Sequence, residues 1–147
     1  MKNIDIRNFN FKVKNYSIYN VIQQIDNKEL LLQYYNGKKS AEWDNVRKSK
    51  YIESILIRAP VTPIILYNDF NDHIIIDGLN RLNALYEYMN NEFELTGLDF
   101  LLEFNNNKYS DFGRAFQRRI EETQIIIHVI ECYNETGLAN ILINRYF

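Results

Sequence analysis

Residues 73–84 read HIIIDGLNRLNA, and the passage from isoleucines through Asp77-Gly78 to Asn80 and Arg81 decides the fold class. The run His73–Ile76 suits a buried strand, Asp77-Gly78 a turn, and Leu79 onward a helix, so the stretch reads strand, tight turn, helix. Backbone N–H groups at a helix start lack partners within the helix. Gly78 would let a ligand approach the backbone, and Arg81 brings a fork of donors to the first turn. A phosphate suits that arrangement, although ordinary buried strand-to-helix turns share the same pattern.

Working back from this stretch, Ile64–Tyr67 is a second strand. The polar turn 68–72, NDFND, joins it to His73–Ile76 as a β-hairpin. Ahead of it, Ala59-Pro60-Val61-Thr62-Pro63 stops a helix that Asp44 caps and that runs to about Ile57, with Val46, Tyr51, Ile52, Ile55 and Leu56 on its apolar face. Earlier still, residues 4–14 alternate and open the chain in extended form. Ser17 caps a helix with Ile18, Val21, Ile22 and Ile25 on one face, Asn27 ends it, a short strand spans Glu29–Tyr34, and 35–42 is a loop with Gly37.

Working forward, the helix from Leu79 to about Asn90 buries Leu79, Leu82, Leu85, Tyr86 and Met89, and leaves Ala84 and Tyr88 on other faces. Phe93–Leu95 and Leu98–Phe104 read as extended, and Ser110 or Asp111 caps a helix through Ile120. Gln124–Tyr133 is a strand with Ile125, Ile127 and Val129 on one face and His128 on the other, and a last helix from about Glu135 carries Leu138, Ile141 and Leu142. His128 is expected to be a core or interface histidine rather than a base. The single cysteine, Cys132, is expected to be a structural thiol.

A length of 147 residues suits one domain, spanning 1–147, of α/β (α+β) class: a small mixed sheet with a hairpin and packed helices. Hydrophobic content of 46% with 14% aromatic residues excludes wholesale disorder. No apolar run approaches a membrane span, and the first fifteen residues alternate where a signal peptide needs an apolar block, so a cytoplasmic protein without membrane partners is expected. A net charge of −2 gives no global attraction to nucleic acid. Lys38, Lys39, Arg47, Lys48 and Lys50 nevertheless cluster, either as a solvated face or as a patch for DNA phosphates. There is no Walker loop, GxGxxG, HExxH or paired Cys/His pattern, and two histidines do not support a histidine-centred nuclease.

The segment from Trp43 through KYIESILIRAPVTPIILYNDFNDHIIIDGLNRLNALYEYMNNEFELTG to the strand QIIIHVI resembles the DUF262 domain, the N-terminal module of GmrSD-type restriction systems, in the ParB/sulfiredoxin-like superfamily. The family signature Asp-Gly-Gln-Gln-Arg stands here as Asp77-Gly78-Leu79-Asn80-Arg81, with Leu79 and Asn80 in place of both glutamines. The Gln-Arg that precedes the family's tryptophan is matched by Lys38 and Lys39. A terminal Arg/Asn segment is matched by Asn144 and Arg145, and residues 1–147 contain none of the HNH-type nuclease domain.

The resemblance implies a ParB/sulfiredoxin-like fold and a nucleotide pocket in which Gly78, Asn80, Arg81 and Lys39 bind an NTP. Arg81, Asp77 and Glu53 would carry any hydrolysis, and Asp77 would organise the turn or a Mg²⁺-bound water. Sulfiredoxin chemistry needs a cysteine where Leu79 stands. The functional expectation is nucleotide-phosphate binding, with Mg²⁺-dependent NTP hydrolysis left open, in DNA restriction or nucleic-acid processing. The alternative is a non-catalytic regulator or inhibitor that binds a nucleotide, DNA, a protein partner or a second copy as a homodimer.

Overall fold

The computed structural model describes residues 5–30, 32, 42–70, 73–132 and 138–146. The expected loop around Gly37, the cations Lys38 and Lys39, most of the expected 29–34 strand, Asn71 and Asp72 of the hairpin turn, and the helix start at Glu135 lie outside them.

Four strands, β1 (Asn10–Ser17), β2 (Ile64–Asn68), β3 (His73–Asp77) and β4 (Gln124–Glu131), form one mixed sheet in the order β1-β4-β2-β3. The alternation of apolar residues in β4 places Ile125, Ile127 and Val129 in the core, which makes it the centre of the sheet. It pairs antiparallel with β1 and parallel with β2. The expected hairpin is present: β2 and β3 pair antiparallel from Asn68↔His73 to Ile65↔Asp77, with a bulge between Ile65 and Leu66.

Helices α1 (Ile18–Asp26), α2 (Asn45–Leu56), α3 (Leu79–Met89) and α4 (Arg114–Glu121) enclose the main core against the sheet face that carries Ile64, Ile75 and Ile127. A smaller core on the opposite face gathers Tyr67, Ile76, Cys132 and Leu138 beneath α5 (Ala139–Tyr146). The mixed α+β class and the helix caps follow the sequence closely. Ser17 Oγ accepts from Asn20 N at 3.1 Å and Asp44 Oδ1 from Arg47 N at 2.9 Å, each satisfying an orphan donor of a first turn.

Five expectations are corrected. Glu29 and Leu30 form a bend after α1 rather than the start of a strand. The segment 93–104 joins no strand of the sheet, because its N–H groups are taken elsewhere: Ser49 Oγ accepts from Thr96, Asn105 Oδ1 from Leu98, Glu53 from residues 99–101, and the Asn107 carbonyl from Leu95. Helix α4 starts at Arg114, since Asp111 turns back to accept from Lys108 N at 2.8 Å and closes a single 3-10 turn instead of capping a helix. In α3, Arg81, Ala84 and Tyr88 are buried as a second stripe, with Tyr88 against Phe93, Tyr109 and Phe112. In α5, Ile141 faces outward, 58% exposed.

Candidate functional site

Strand β3 ends at Asp77, and Gly78 then turns the chain with a φ of +111° that L side chains rarely adopt. A Cβ on Gly78 would also press on Cδ1 of the buried Ile64, so backbone conformation and packing both favour glycine here. Gly78 is also the N-cap of α3, while Asp77 is still part of the hairpin ladder opposite Ile65. No side chain caps this helix; its first internal bond is Leu82 N–H to Gly78 O, at 3.0 Å. The first-turn N–H groups at Leu79, Asn80 and Arg81 therefore carry the positive end of an eleven-residue helix.

Arg81 is held in place by the fold. It is 8% exposed, and its Nη1 donates to Thr62 O, to Thr62 Oγ1 at 2.7 Å and to Pro63 O at 3.0 Å, while Nη2 donates to Asp77 Oδ2 at 3.1 Å. The proline-containing link thus offers its carbonyls to α3, and Arg81 joins link, strand end and helix start. These contacts use both Nη1 hydrogens and one on Nη2, leaving Nε–H and the second Nη2 hydrogen outside them. Asp77 is spoken for by the same pairing. Among the described residues no three His, Cys, Asp or Glu side chains stand together as a metal cluster.

Around this turn stand Asn80, Trp43 and Tyr51. Asn80 Oδ1 accepts from Trp43 N at 3.4 Å, and the Trp43 ring meets Tyr51 edge to face at 5.8 Å. Tyr51 carries a signal the sequence reading missed. Its hydroxyl is the only buried side-chain polar atom without a hydrogen-bond partner among the described residues. Burial pushes its pKa up to about 12, against a smaller pull downward from the Arg81 charge. Thr62 was missed as well; a hydroxyl between two prolines, VTP at 61–63, was the available cue.

The remaining candidates lie elsewhere. Glu53, expected to orient water, is 3% exposed within α2, and its two oxygens accept from the N–H groups of Asp99, Phe100 and Leu101 at 3.1, 2.8 and 2.8 Å. It is a loop anchor, with no acceptor aimed at the 77–81 turn. The cationic cluster is largely engaged. Lys48 Nζ meets Glu87 at 2.6 Å, Lys50 meets Asp99 at 3.5 Å, and the Arg47 guanidinium lies 4.8 Å from the Trp43 ring centre. Lys39, the other expected phosphate ligand, is outside the described residues, as is Lys38. His128 packs edge to face on Phe11, and Cys132 is fully buried, in keeping with the structural roles expected of them.

No family model, curated protein or solved structure matches the chain. The likeness to DUF262 rests on the residues quoted above. No helix among the described residues is long and apolar enough to cross a membrane.

Proposed function

We propose that the protein binds the phosphate of a nucleotide at the first turn of α3 and acts by being occupied or empty, without cleaving what it binds. The observation that carries this reading is the uncapped start of α3 with a fixed guanidinium beside it. The positive end of the helix dipole favours an anion there. The bonds to Thr62 and Pro63 orient Arg81 in advance, so a phosphate would gain its donors without ordering a long side chain. The order of DGxxR, proline link and hairpin supports the same ligand through the DUF262 resemblance, and with it a setting in DNA restriction or nucleic-acid processing.

Binding is preferred to hydrolysis on chemical grounds. In-line attack on a phosphoryl group needs a group that positions water. The two carboxylates expected to serve, Asp77 and Glu53, are bonded to Arg81 and to the 99–101 backbone.

Calorimetric titration of ATP, GTP and CTP, each with Mg²⁺ and with chelator, against wild type and Arg81→Lys tests the proposal, alongside NMR of the backbone amides. Binding with shifts centred on Leu79, Asn80 and Arg81, retained in chelator and weakened in the variant, is the expected result. Nucleotide binding that leaves those three amides unmoved would overturn it. Equal affinity in a folded Arg81→Lys protein would remove Arg81 from the site.

A further inference from the structure

We infer that the protein carries a second ligand site, for a small organic anion, on the sheet face shared by β1, β4 and β2, beside the residues that follow α1. It stands independently of the nucleotide reading. Strands β2 and β4 run parallel, and their register carries them together toward Asn68 and Glu131. At that end the chain leaves β2 for the hairpin to β3, while β4 leads on to Cys132 and the small core under α5. The site is not confined to that end: its lining runs along the face from Asn68 and His73 to Lys14 and Tyr16, which lie opposite Ile127 and Ile125.

This stretch of the face holds a cavity of roughly 420 Å³, within the range of small-molecule sites. Its floor is apolar. Leu66, Ile127 and Val129 lie on one sheet face, with Leu66 and Val129 directly opposite each other in the ladder. Its walls are polar and come from three directions: Lys14 and Tyr16 on β1, Lys28 and Glu29 just beyond α1, and the cross-strand pair Asn68 and His73. Lys14 sits opposite Ile127 in the ladder, so its stem runs along the floor while its ammonium reaches the rim.

Two ammonium groups against the single Glu29 carboxylate make the described lining cationic. Lys28 is held at this rim by a left-handed backbone, φ +60°, with its N–H bonded to Ile25 O at 3.0 Å. An apolar floor with a few convergent donors selects a molecule with an apolar body and an anionic head. Inorganic phosphate lacks the body and a neutral alcohol lacks the head. A carboxylate and a phosphate monoester share the required chemistry.

The test uses the full chain and four probes: phenyl phosphate, benzoate, benzyl alcohol and inorganic phosphate, each followed by amide NMR. One or both aromatic anions should move the amides of Lys14, Leu66, Asn68 and Val129 and leave residues 79–81 in place, with the tighter anion naming the head group. Benzyl alcohol and inorganic phosphate should each bind at least about tenfold more weakly. The double variant Lys14→Met/Lys28→Met, both of whose positions are exposed in the fold, should weaken the anion by a similar factor. Equal binding of the alcohol, undiminished affinity in the double variant, or shifts confined to residues 79–81 would each overturn the inference. The comparison among probes needs only wild-type protein. A failure here leaves the α3 site untouched, because that site is read at different amides.

Discussion

Two buried charged side chains, Glu53 and Arg81, hold the molecule together in mirror-image fashion. Glu53 gathers three backbone N–H groups of residues 99–101, and Arg81 gathers two backbone carbonyls and a hydroxyl of residues 62–63. Each ties a segment without regular structure to a helix. They differ in what is left over. Three donors converge on the Glu53 carboxylate within α2, where the helix has no open end. Arg81 keeps donors outside its bonds and sits in the first turn of an uncapped helix, beside the unpartnered hydroxyl of Tyr51. A buried charge with its bonding filled inside the fold is an anchor. One with donors to spare at a helix dipole is an anchor that can also receive a ligand.

The difference can be broken most directly at Glu53. Replacing it with alanine removes the acceptor of three N–H groups and should cost about 3 kcal/mol in urea unfolding, with nucleotide affinity kept in the folded fraction. A loss of stability below about 1 kcal/mol would mean that solvent serves the 99–101 loop as well as Glu53 does. Arg81→Lys should cost less, about 1–2 kcal/mol, because one ammonium cannot span both the link carbonyls and Asp77. It should also weaken nucleotide binding, and a variant losing stability alone would place Arg81 with Glu53 as a pure anchor.

Tyr51 sharpens the comparison through pH. Its folded pKa of about 12 lies above the ordinary value near 10, so the folded state favours the protonated phenol. Its contribution is therefore intact below pH 10 and is lost as pH rises from about 10 through about 12. Tyr51→Phe should be neutral or slightly stabilising at pH 7, since an unpaired buried hydroxyl disappears, and should lose less stability than wild type at pH 11. Unfolding curves at the two pH values check both halves. The smallest effect belongs to Lys50→Ala. Its pair with Asp99 is about half exposed on both sides, and thermal melts should move by no more than about 0.5 kcal/mol in equivalent stability.

The strands, the caps at Ser17 and Asp44, the hairpin and the α+β class were legible because period, cap residue and turn chemistry are written within a few neighbouring positions. The errors share one physical cause. Residues 93–104 look extended because Phe93, Leu95, Leu98 and Leu101 are spaced to be buried. What ends their backbone donors is a set of side chains on α2, Ser49 and Glu53, together with Asn105, and the link to α2 crosses more than forty positions. Phe93, Tyr109 and Phe112 likewise bury Tyr88 on the second stripe of α3, so Ala84 and Tyr88 looked surplus to a one-faced helix. At the turn, the residue types were read correctly and their partners were not. That Arg81 would be drawn inward depends on Thr62 and Pro63, whose carbonyls face it only once β2 lies beside β3. The lysines of the second site are ordinary surface residues in sequence and gain a shared floor only through the β1–β4–β2 order.

That strand order also governs how the chain reaches its native state. The central strand β4 takes its first partner from near the N-terminus, Asn10 opposite Glu131, and its second from the middle of the chain. During synthesis β1 and the β2–β3 hairpin are therefore made long before the strand that joins them exists. Phe11 and Val13, exposed even in the finished fold, wait meanwhile on an open strand. Such non-local closure makes for slow folding and a nascent chain open to wrong pairing, so production of this protein should be limited by the interval before β4 emerges.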